Sequence, residues 1–351
     1  MSFSARILAW YQTNKRALPW RETTNPYIIW LSEIILQQTR VEQGLPYFLR
    51  FVENFPNVTK FAEADEADLL RLWQGLGYYS RARNMHKAAK LVVDQHDGEF
   101  PVDYSNLINL PGVGAYTAAA IASFSSNEAK AVLDGNVFRV LARYFGIVEP
   151  INSTAGKKLF SELAEELIDP LRAGEYNQAI MDFGALQCKP KNPDCSVCIF
   201  QTDCVALEQG IVSELPKKNK SKKSRVRHFH YFLIEDSDGW LMSQRSEGDI
   251  WANLYEFPMI ETDSAVAPEE LMVSAEFKEN FSAVFPQKVK GPVKHILSHQ
   301  QIFANFYRLD ANKVKLAKKS HWNYCLSENL DKLAKHKLIS SFVEDYIFSA
   351  H

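Results

Sequence analysis

The chain repeats apolar residues at helical spacing through about its first 210 residues. Leu31, Ile34 and Ile35 share one face of a predicted helix, and the same spacing returns in residues 118–122 and 137–144. Several prolines interrupt the pattern: Pro46, Pro56, Pro101 and Pro111. Because proline ends helices and favours turns, this region is predicted to form short helices joined by tight turns.

The pattern changes beyond residue 211. From about Pro216 to Arg227 the chain is rich in Lys and Ser and almost free of apolar residues, which is typical of a linker. The sequence therefore predicts a helical domain in residues 1–211, a basic linker in residues 212–227 and a second domain in residues 228–351.

The second domain has strand-like segments. Residues 229–234 and 240–243 flank the sequence Asp-Ser-Asp-Gly at 236–239, which predicts a β-hairpin. Residues 301–309 are rich in aromatic and aliphatic side chains, as expected of a strand, whereas residues 330–347 return to helical spacing. An α+β domain is predicted.

Composition and charge exclude some classes of protein. The 351 residues include 40 basic and 42 acidic side chains, so the net charge is −2 and the overall positive charge usual in nucleic-acid-binding proteins is absent. Basic residues do cluster around residues 75–79 and in residues 217–227. No apolar run is long enough to span a bilayer, and the N-terminus lacks the layout of a secretory signal, so we expect a soluble cytoplasmic protein.

Four of the five cysteines are closely spaced, as Cys188-x6-Cys195-x2-Cys198-x5-Cys204. Four such thiolates can hold zinc or an iron–sulfur cluster, and the spacing alone does not choose between them. The spacing resembles that of the endonuclease III superfamily of base-excision glycosylases, in which it binds a 4Fe–4S cluster. The resemblance implies a 4Fe–4S cluster with a structural role.

A Gly112-Val113-Gly114 turn separates two helical stretches. Two glycines allow a tight turn and let backbone N–H groups approach a phosphate at a helix N-terminus, although alone the motif is more often an ordinary turn. It resembles the helix–hairpin–helix of the same superfamily, which implies a phosphate contact that positions DNA without sequence readout.

Two carboxylates suit the chemistry of such a family. Asp134 precedes an apolar helical pattern and is a good N-cap candidate, and Glu33 shares a helix face with Gln37 and Arg40, which alone is typical of a solvated glutamate. Cleavage of an N-glycosidic bond requires a proton donor for the leaving base and a carboxylate near the sugar.

Longer motifs narrow the resemblance. Residues 30–41 (WLSEIILQQTRV) closely resemble the catalytic helix of the MutY family, the adenine DNA glycosylases of this superfamily, and residues 18–21, 75–84 and 134–140 resemble further motifs of that family in order. The resemblance implies an all-α, two-lobed glycosylase domain. Its six-helix lobe would cover about residues 21–127, and the N-terminal segment with residues 128–211 would form the iron–sulfur lobe.

The resemblance also implies roles for individual residues. Glu33 would protonate the flipped adenine at N7 and later activate water, and Asp134 would stabilise the sugar cation, with Tyr116 and Asn136 in support. The adenine pocket would be lined by Arg16, Leu18, Trp20 and Gln178. The duplex would be entered by three wedge residues: Gln38, Thr39 and Tyr78.

Tyr116 separates two reaction types. Bifunctional members of the superfamily have a lysine at this position, whose amine forms a Schiff base with the sugar and leads to strand cleavage. Tyrosine cannot do this. The resemblance therefore implies a monofunctional glycosylase.

The second domain resembles the Nudix (MutT)-like module with which MutY-family enzymes recognise 8-oxoguanine. Residues 251–258 match a characteristic segment, except that Asn253 replaces the usual Gly; asparagine tolerates a positive φ well, so a left-handed turn is expected to survive. Leu297-Ser298-His299 corresponds to the recognition loop Phe-Ser-His, so Ser298 and His299 are expected to contact the lesion. No intact Nudix motif surrounds Glu269 and Glu270, and hydrolysis of nucleoside triphosphates is not expected.

The expected function is hydrolysis of the N-glycosidic bond of adenine mispaired with 8-oxoguanine or guanine in double-stranded DNA. We expect a bacterial, nucleoid-associated monomer that can meet replication or repair proteins. Two alternatives stay open at this point: a thymine- or pyrimidine-specific glycosylase of the superfamily, and a non-catalytic DNA-structure binder in which Glu33 and Asp134 are idle.

Overall fold

The computed structural model describes residues 1–219, 224–282, 284–297 and 299–348. The chain folds into two compact units. The first unit consists of the described residues of Met1–Ala64 and Arg83–Lys220, and the second of the described residues of Asp65–Ala82 and Ser221–His351. A segment from the helical part of the sequence therefore packs with the C-terminal part.

The first 211 residues form helices, as the apolar spacing predicts. The helices are α1 Phe3–Asn14, a 3₁₀ turn Pro19–Arg21, α2 Pro26–Ile35, α3 Val41–Asn54, α4 Val58–Glu63, α5 Glu66–Trp73, α6 Ser80–Gln95, α7 Tyr104–Leu107, α8 Ala115–Ser126, α9 Gly135–Phe145, α10 Thr154–Leu167, α11 Ala173–Leu186 and α12 Val205–Glu208. Of these, α5 and the first turn of α6 lie in the second unit.

Local sequence fixes where the helices near the site begin and end. The Asn25 side chain caps α2 by accepting hydrogen bonds from the N–H groups of Tyr27 and Ile28, with Pro26 in the first turn. Helix α9 ends at Gly146 with φ +68°, and a Cβ there would lie 2.4 Å from the side chain of Val205. Only glycine satisfies both demands.

A core of α1, α9, α10 and α11 residues holds the first unit together on the side of the cysteines. Its largest fully buried side chains include Phe160, Tyr176 and Phe183, and Phe183 packs edge-on against Phe200 with ring centroids 5.4 Å apart. Helix α11 approaches the start of α9 so closely that a Cβ on Gly184 would lie 2.6 Å from Asn136 Cβ. This packing sets the distance between two of the helices that form the site described below.

The second unit contains two β-sheets. Its elements are β1 Arg225–Leu233, β2 Glu235–Asp236, β3 Gly239–Gln244, β4 Tyr255–Glu256, β5 Met259–Thr262, α13 Pro268–Val273, α14 Ala275–Phe281, β6 Gln287–Ile296, β7 Gln300–Arg308, β8 Trp322–Cys325, a 3₁₀ helix Ser327–Lys332, α15 Lys337–Phe342 and a π-helix Val343–Phe348. One sheet has the order β5-β1-β7-β6, in which β1 and β7 are parallel and the other pairs antiparallel. The other joins β2, β3 and β4, with β8 also paired to β3.

The predicted hairpin is only partly correct. The turn at residues 236–239 joins β2 to β3, but β1, which carries residues 229–233, pairs with β5 and β7 instead. The chain leaves β1 after Leu233 and begins a separate two-residue strand, so the long hairpin does not form. The helical tail is interrupted as well: between the 3₁₀ helix and α15, the Ala334 carbonyl accepts a hydrogen bond from Tyr255 N–H.

No helix in the described part of the chain is long and apolar enough to cross a membrane.

Candidate active site

Glu33 lies near the end of α2, in a run of buried residues. It is 9% exposed, so the solvated position that helical spacing alone suggests is wrong: other elements cover this face of α2. Its Oε2 accepts a hydrogen bond of 2.7 Å from the Tyr116 hydroxyl. Burial, together with the negative charge of Asp134, raises the pKa of Glu33 from 4.5 to about 7, although the Tyr116 hydrogen bond and the Arg21 charge act in the opposite direction.

Tyr116 reaches Glu33 from the first turn of α8, which begins directly after Gly114. Burial and the nearby carboxylates of Glu33 and Asp134 raise the pKa of the Tyr116 phenol well above its ordinary value. The hydroxyl therefore stays protonated at neutral pH and acts as a donor.

Asp134 caps α9, as predicted. One carboxylate oxygen accepts hydrogen bonds of 2.8 Å from the N–H groups of Asn136 and Val137, and the other accepts one of 2.7 Å from the Asn136 amide. Asn136 in turn accepts a hydrogen bond from Arg139 at 2.9 Å. Burial raises the pKa of Asp134, while these hydrogen bonds lower it. Capping and a place in the site are therefore combined in one residue.

Glu33 and Asp134 line one cavity of about 440 Å³, within the roughly 300–1,000 Å³ usual for small-molecule sites. Residues from α2, α8, α9, α11 and the segment after α1 contribute to it. The structure brings together here Glu33, Asp134, Tyr116, Asn136, Arg16, Leu18, Trp20, Gln178 and Thr39, which the sequence analysis assigned to catalysis, adenine binding and the wedge.

The sequence analysis missed a buried ion-pair cluster in the wall of the cavity. Asp182 on α11 has no exposed side-chain surface and lies 2.6 Å from both Arg16 Nη2 and Arg21 Nη1. Although burial raises the pKa of Asp182, the hydrogen bonds and charges of the two arginines hold it below its ordinary value. A carboxylate within the otherwise apolar run from Ala179 to Leu186 is the pattern that could have revealed it.

Gln178 is held in the same wall. Its side-chain oxygen accepts a hydrogen bond of 2.9 Å from the Tyr11 hydroxyl, which leaves the amide N–H₂ as a donor. The apolar side chains of Phe124 and Met181, which the sequence analysis did not single out, also line the cavity.

The glycine turn between α7 and α8 has the predicted strained backbone. Gly112 has φ +79°, and a Cβ there would lie 2.7 Å from Asn84 Cβ. Val113 points inward and is 7% exposed. Gly114 begins α8 without a side-chain cap, so the first N–H groups of the helix are presented by the backbone alone.

The three predicted wedge residues do not share one environment. Thr39 lines the cavity, and Gln38 precedes it with φ +56°. Tyr78 lies in the second unit, has φ +48° and is 43% exposed. A positive φ at a glutamine and at a tyrosine marks two strained positions of the kind that concentrate at functional sites.

Comparison with known proteins places these features in a family. Residues 31–170 match the HhH-GPD superfamily of base excision DNA repair proteins, and residues 230–345 match the NUDIX domain. The chain is 40% identical to the adenine DNA glycosylase of Buchnera aphidicola subsp. Schizaphis graminum, over 74% of this chain and 75% of that protein. The chain belongs to the adenine DNA glycosylase family.

Further relatives agree with this assignment. The glycosylase is 33% identical to the adenine DNA glycosylase of Buchnera aphidicola subsp. Baizongia pistaciae, over 90% of this chain and 88% of that protein. A solved thermostable thymine-DNA glycosylase is 29% identical, with a TM-score of 0.55 over 59% of this chain and 95% of the other. An endonuclease III–DNA complex, 20% identical with a TM-score of 0.51, shares the fold.

The family assignment answers the alternatives left open by the sequence. The protein is a base-excision repair enzyme that hydrolyses the N-glycosyl bond of adenine in DNA. Neither a pyrimidine-specific glycosylase nor a non-catalytic DNA binder describes it. The helical glycosylase fold followed by a Nudix domain is confirmed as well.

The four clustered cysteines of the glycosylase, Cys188, Cys195, Cys198 and Cys204, line one cavity together with Arg143, and each is a free thiol. The Arg143 guanidinium lies 3.4 Å from Cys188 Sγ. In the described part of the chain, no group of three or more His, Cys, Asp or Glu side chains is arranged to hold a metal ion.

The predicted lesion-recognition loop joins β6 to β7. His299 is exposed, and its carbonyl accepts a hydrogen bond from Arg225 N–H, whereas Ser298 lies outside the described residues. Leu297 is partly buried against the core of the second unit. Asn253 has φ +62°, so the prediction that asparagine preserves a left-handed turn is confirmed.

Proposed function

We propose that this glycosylase excises adenine opposite 8-oxoguanine or guanine in double-stranded DNA, acts as a monomer and leaves the strand intact. One observation carries the catalytic part of the proposal. Glu33, with its pKa near 7, and Asp134 line the same cavity, and Tyr116 donates a hydrogen bond to Glu33. A proton donor and a second carboxylate are the two groups that this hydrolysis requires.

In the first step, Glu33 donates its proton to adenine N7, and the bonding electrons of the glycosidic bond move to the leaving base. A pKa near the working pH suits a group that must first give a proton and then accept one. The Asp134 carboxylate stabilises the positive charge that develops on the sugar. Glu33, now ionised, takes a proton from water as the water oxygen bonds to the sugar carbon.

Arg16, Leu18, Trp20 and Gln178 are proposed to hold the flipped adenine. Leu18 and Trp20 are less than 10% exposed and supply apolar surface for a flat base, with the Trp20 ring itself packed on Phe48 at 5.1 Å. The Gln178 amide donor, oriented by Tyr11, suits an acceptor nitrogen on the base.

The absence of strand cleavage is proposed from Tyr116, since a phenol cannot form a Schiff base with the sugar. None of the described residues that line the cavity is a lysine. Borohydride reduction during turnover should therefore trap no covalent protein–DNA complex, and abasic sites should stay unbroken until alkali is added. A trapped complex would contradict the proposal.

Three features are proposed to bind the duplex. The N–H groups that begin α8 at Gly112, Val113 and Gly114 would contact a backbone phosphate. Gln38, Thr39 and Tyr78 would fill the gap left by the flipped nucleotide, where an exposed tyrosine ring can stack on a neighbouring base.

Cys188, Cys195, Cys198 and Cys204 are proposed to hold a 4Fe–4S cluster. They fit such a group in that four free thiols line a single cavity beside the positive charge of Arg143. Bound, the cluster would cross-link the chain that follows α11. We expect iron and sulfide in protein purified without oxygen, and their loss in Cys198→Ser. Zinc in place of iron would refute the assignment.

Ser298 and His299 are proposed to read the lesion. Guanine and 8-oxoguanine differ in the C8 oxygen and the N7 proton, and one well-placed contact to a base edge is worth about 1–3 kcal/mol. Ser298→Ala with His299→Ala should therefore slow excision opposite 8-oxoguanine by about 10- to 100-fold and opposite guanine much less. Equal losses on both duplexes would indicate a general role in DNA binding or folding.

Single-turnover excision from a panel of duplexes, each with one mispair, tests the substrate proposal directly. The expected order is adenine opposite 8-oxoguanine, then adenine opposite guanine, with no release of thymine. Faster release of any other base would overturn the proposal.

A further inference from the structure

The segment Asp65–Ala82, here called the wedge segment because it carries Tyr78, forms hydrogen bonds with the C-terminal domain in the second unit. Asn253 donates to Glu66 at 2.9 Å, at the start of α5. The Tyr79 hydroxyl, next to Tyr78, donates to the backbone carbonyl of Lys335 at 2.9 Å. The wedge segment is thus attached to the C-terminal domain near both of its ends.

A third contact lies between these two. Gln74, which ends α5, donates to the Ser340 hydroxyl at 2.9 Å and accepts from Lys335 N–H at 3.4 Å. Its amide therefore bridges the backbone before α15 to a side chain on α15. Bonding through both amide atoms fixes the orientation of Gln74 as well as its position.

Internal contacts transmit this attachment to Tyr78. The Trp73 indole donates to the Gly77 carbonyl at 2.9 Å, and the Arg81 guanidinium lies over both the Trp73 ring and the Tyr78 ring, at 4.9 and 5.7 Å. Tyr79 is 4% exposed and Tyr78 43%, so the two neighbours face opposite ways. Anchoring Tyr79 inward holds Tyr78 outward.

The C-terminal side of the contact is itself rigid. Lys335 is 1% exposed, and its ammonium group donates to the carbonyls of Leu330 and Leu333. The next residue, His336, is fully buried, stacks on Trp251 with ring centroids 3.7 Å apart, and lies 3.2 Å from a Glu256 oxygen. A backbone held this firmly is a good fixed point for another segment.

We propose that the C-terminal domain positions the wedge residue Tyr78, through Glu66, Gln74 and Tyr79 acting as positioning residues. This inference rests on the proposed wedge role of Tyr78. It gives the Nudix-like domain a second role. In addition to contacting the lesion with its β6–β7 loop, the domain holds the tyrosine that occupies the duplex.

The test begins with Tyr79→Phe, which removes one hydroxyl and keeps the ring that packs inward. Tyr324→Phe is the matched control, since Tyr324 lies on β8, which pairs with β3. Because a net hydrogen bond contributes a factor of about 2–10, we expect Tyr79→Phe to slow single-turnover excision about 2- to 10-fold, with Tyr324→Phe at the wild-type rate. The fluorescence of 2-aminopurine beside the mispair, quenched by stacking, should rise with Tyr79→Phe alone.

Glu66 offers a conservative rescue. Glu66→Ala removes the acceptor for Asn253, whereas Glu66→Gln keeps a carbonyl oxygen that can accept the same hydrogen bond. The alanine variant should lose quenching and rate, and the glutamine variant should recover both. If the two behave alike, the Glu66 contact does not position Tyr78.

A double-mutant cycle then separates positioning from general stability. If Tyr79 acts through Tyr78, adding Tyr79→Phe to Tyr78→Ala causes no further loss of rate or quenching. Additive losses would overturn the inference while leaving the wedge role intact. A Tyr78→Ala variant with wild-type rate and quenching would instead overturn the proposed wedge role, and the inference with it.

Discussion

Replacement of Glu33 by glutamine tests the raised pKa of this group through stability as well as activity. Glu33 is 9% exposed, and burial raises its pKa from 4.5 to about 7. A carboxyl group with a higher pKa in the folded state binds its proton more tightly there. The folded protein therefore loses stability as pH rises from about 4.5 to about 7, where the unfolded chain releases the proton and the folded chain retains it.

The size of that loss follows from the two pKa values. Their difference, at about 1.36 kcal/mol per pH unit, gives about 3 kcal/mol. Glutamine has no proton to release and keeps an oxygen that can accept the hydrogen bond from Tyr116. Glu33→Gln should therefore match the wild type near pH 4.5 and be about 3 kcal/mol more stable at pH 8. For a unit of this size that is about 6–12 °C in Tm.

Differential scanning calorimetry between pH 4.5 and 8 measures this difference. Glu42→Gln is the matched control for loss of one negative charge, since Glu42 lines the same cavity but is exposed. The Glu33 variant should also release no adenine while it still binds the duplex. A Tm difference between Glu33→Gln and the wild type that does not change with pH would refute the raised pKa, and with it the reason for assigning Glu33 as the acid.

Three further outcomes are expected. Asp134→Asn should abolish excision in single-turnover assays with little change in Tm, because asparagine caps helices about as well as aspartate; wild-type excision would leave Asp134 as a cap only. Tyr116→Phe removes a hydrogen bond that lowers the pKa of Glu33, so the alkaline limb of the excision profile should move up by about 1–2 pH units, and an unmoved limb would contradict the assigned contact. Asp182→Asn leaves two arginines without their buried partner and should lower stability by about 3–5 kcal/mol; a Tm within 1 °C of wild type would show that the arginines find other partners.

Local patterns in the sequence predict the helices and strands well, because they depend on neighbours along the chain. Apolar spacing predicts α2 and α9, and the Asp-Gly-Asn sequence predicts the cap at Asp134. Residue preference for left-handed backbone likewise predicts the turn at Asn253. These features are determined by residues only a few positions apart.

Contacts between distant residues explain what the sequence could not predict. Helical spacing alone places Glu33 on a solvated face, since the residues that bury it, such as Tyr116, lie 83 positions away. The Asp182 cluster joins residues 161 and 166 positions apart. β1 pairs with β7 rather than β3 for the same reason: the pairing depends on a strand about 75 residues later.

The resemblance to a family brought together site residues that no local pattern connects. Nine of the residues it assigned line one cavity in the structure. It did not indicate Asp182, which holds Arg16 and Arg21 in the wall, and the wedge residue Tyr78 proved to pack with the C-terminal unit. Supporting contacts of this kind vary with the surrounding packing and are visible only in three dimensions.

The attachment of the wedge segment to the C-terminal domain has a consequence for synthesis of the chain. Ser340 follows Ala82 by 258 residues, which take a ribosome roughly 10–50 seconds to add at about 5–20 residues per second. During that interval the hydrogen-bond partners of Gln74 and Tyr79 do not yet exist. The helical part of the enzyme must therefore emerge with this stretch in a temporary conformation, and the segment can take up its final place only after the last helices have left the ribosome.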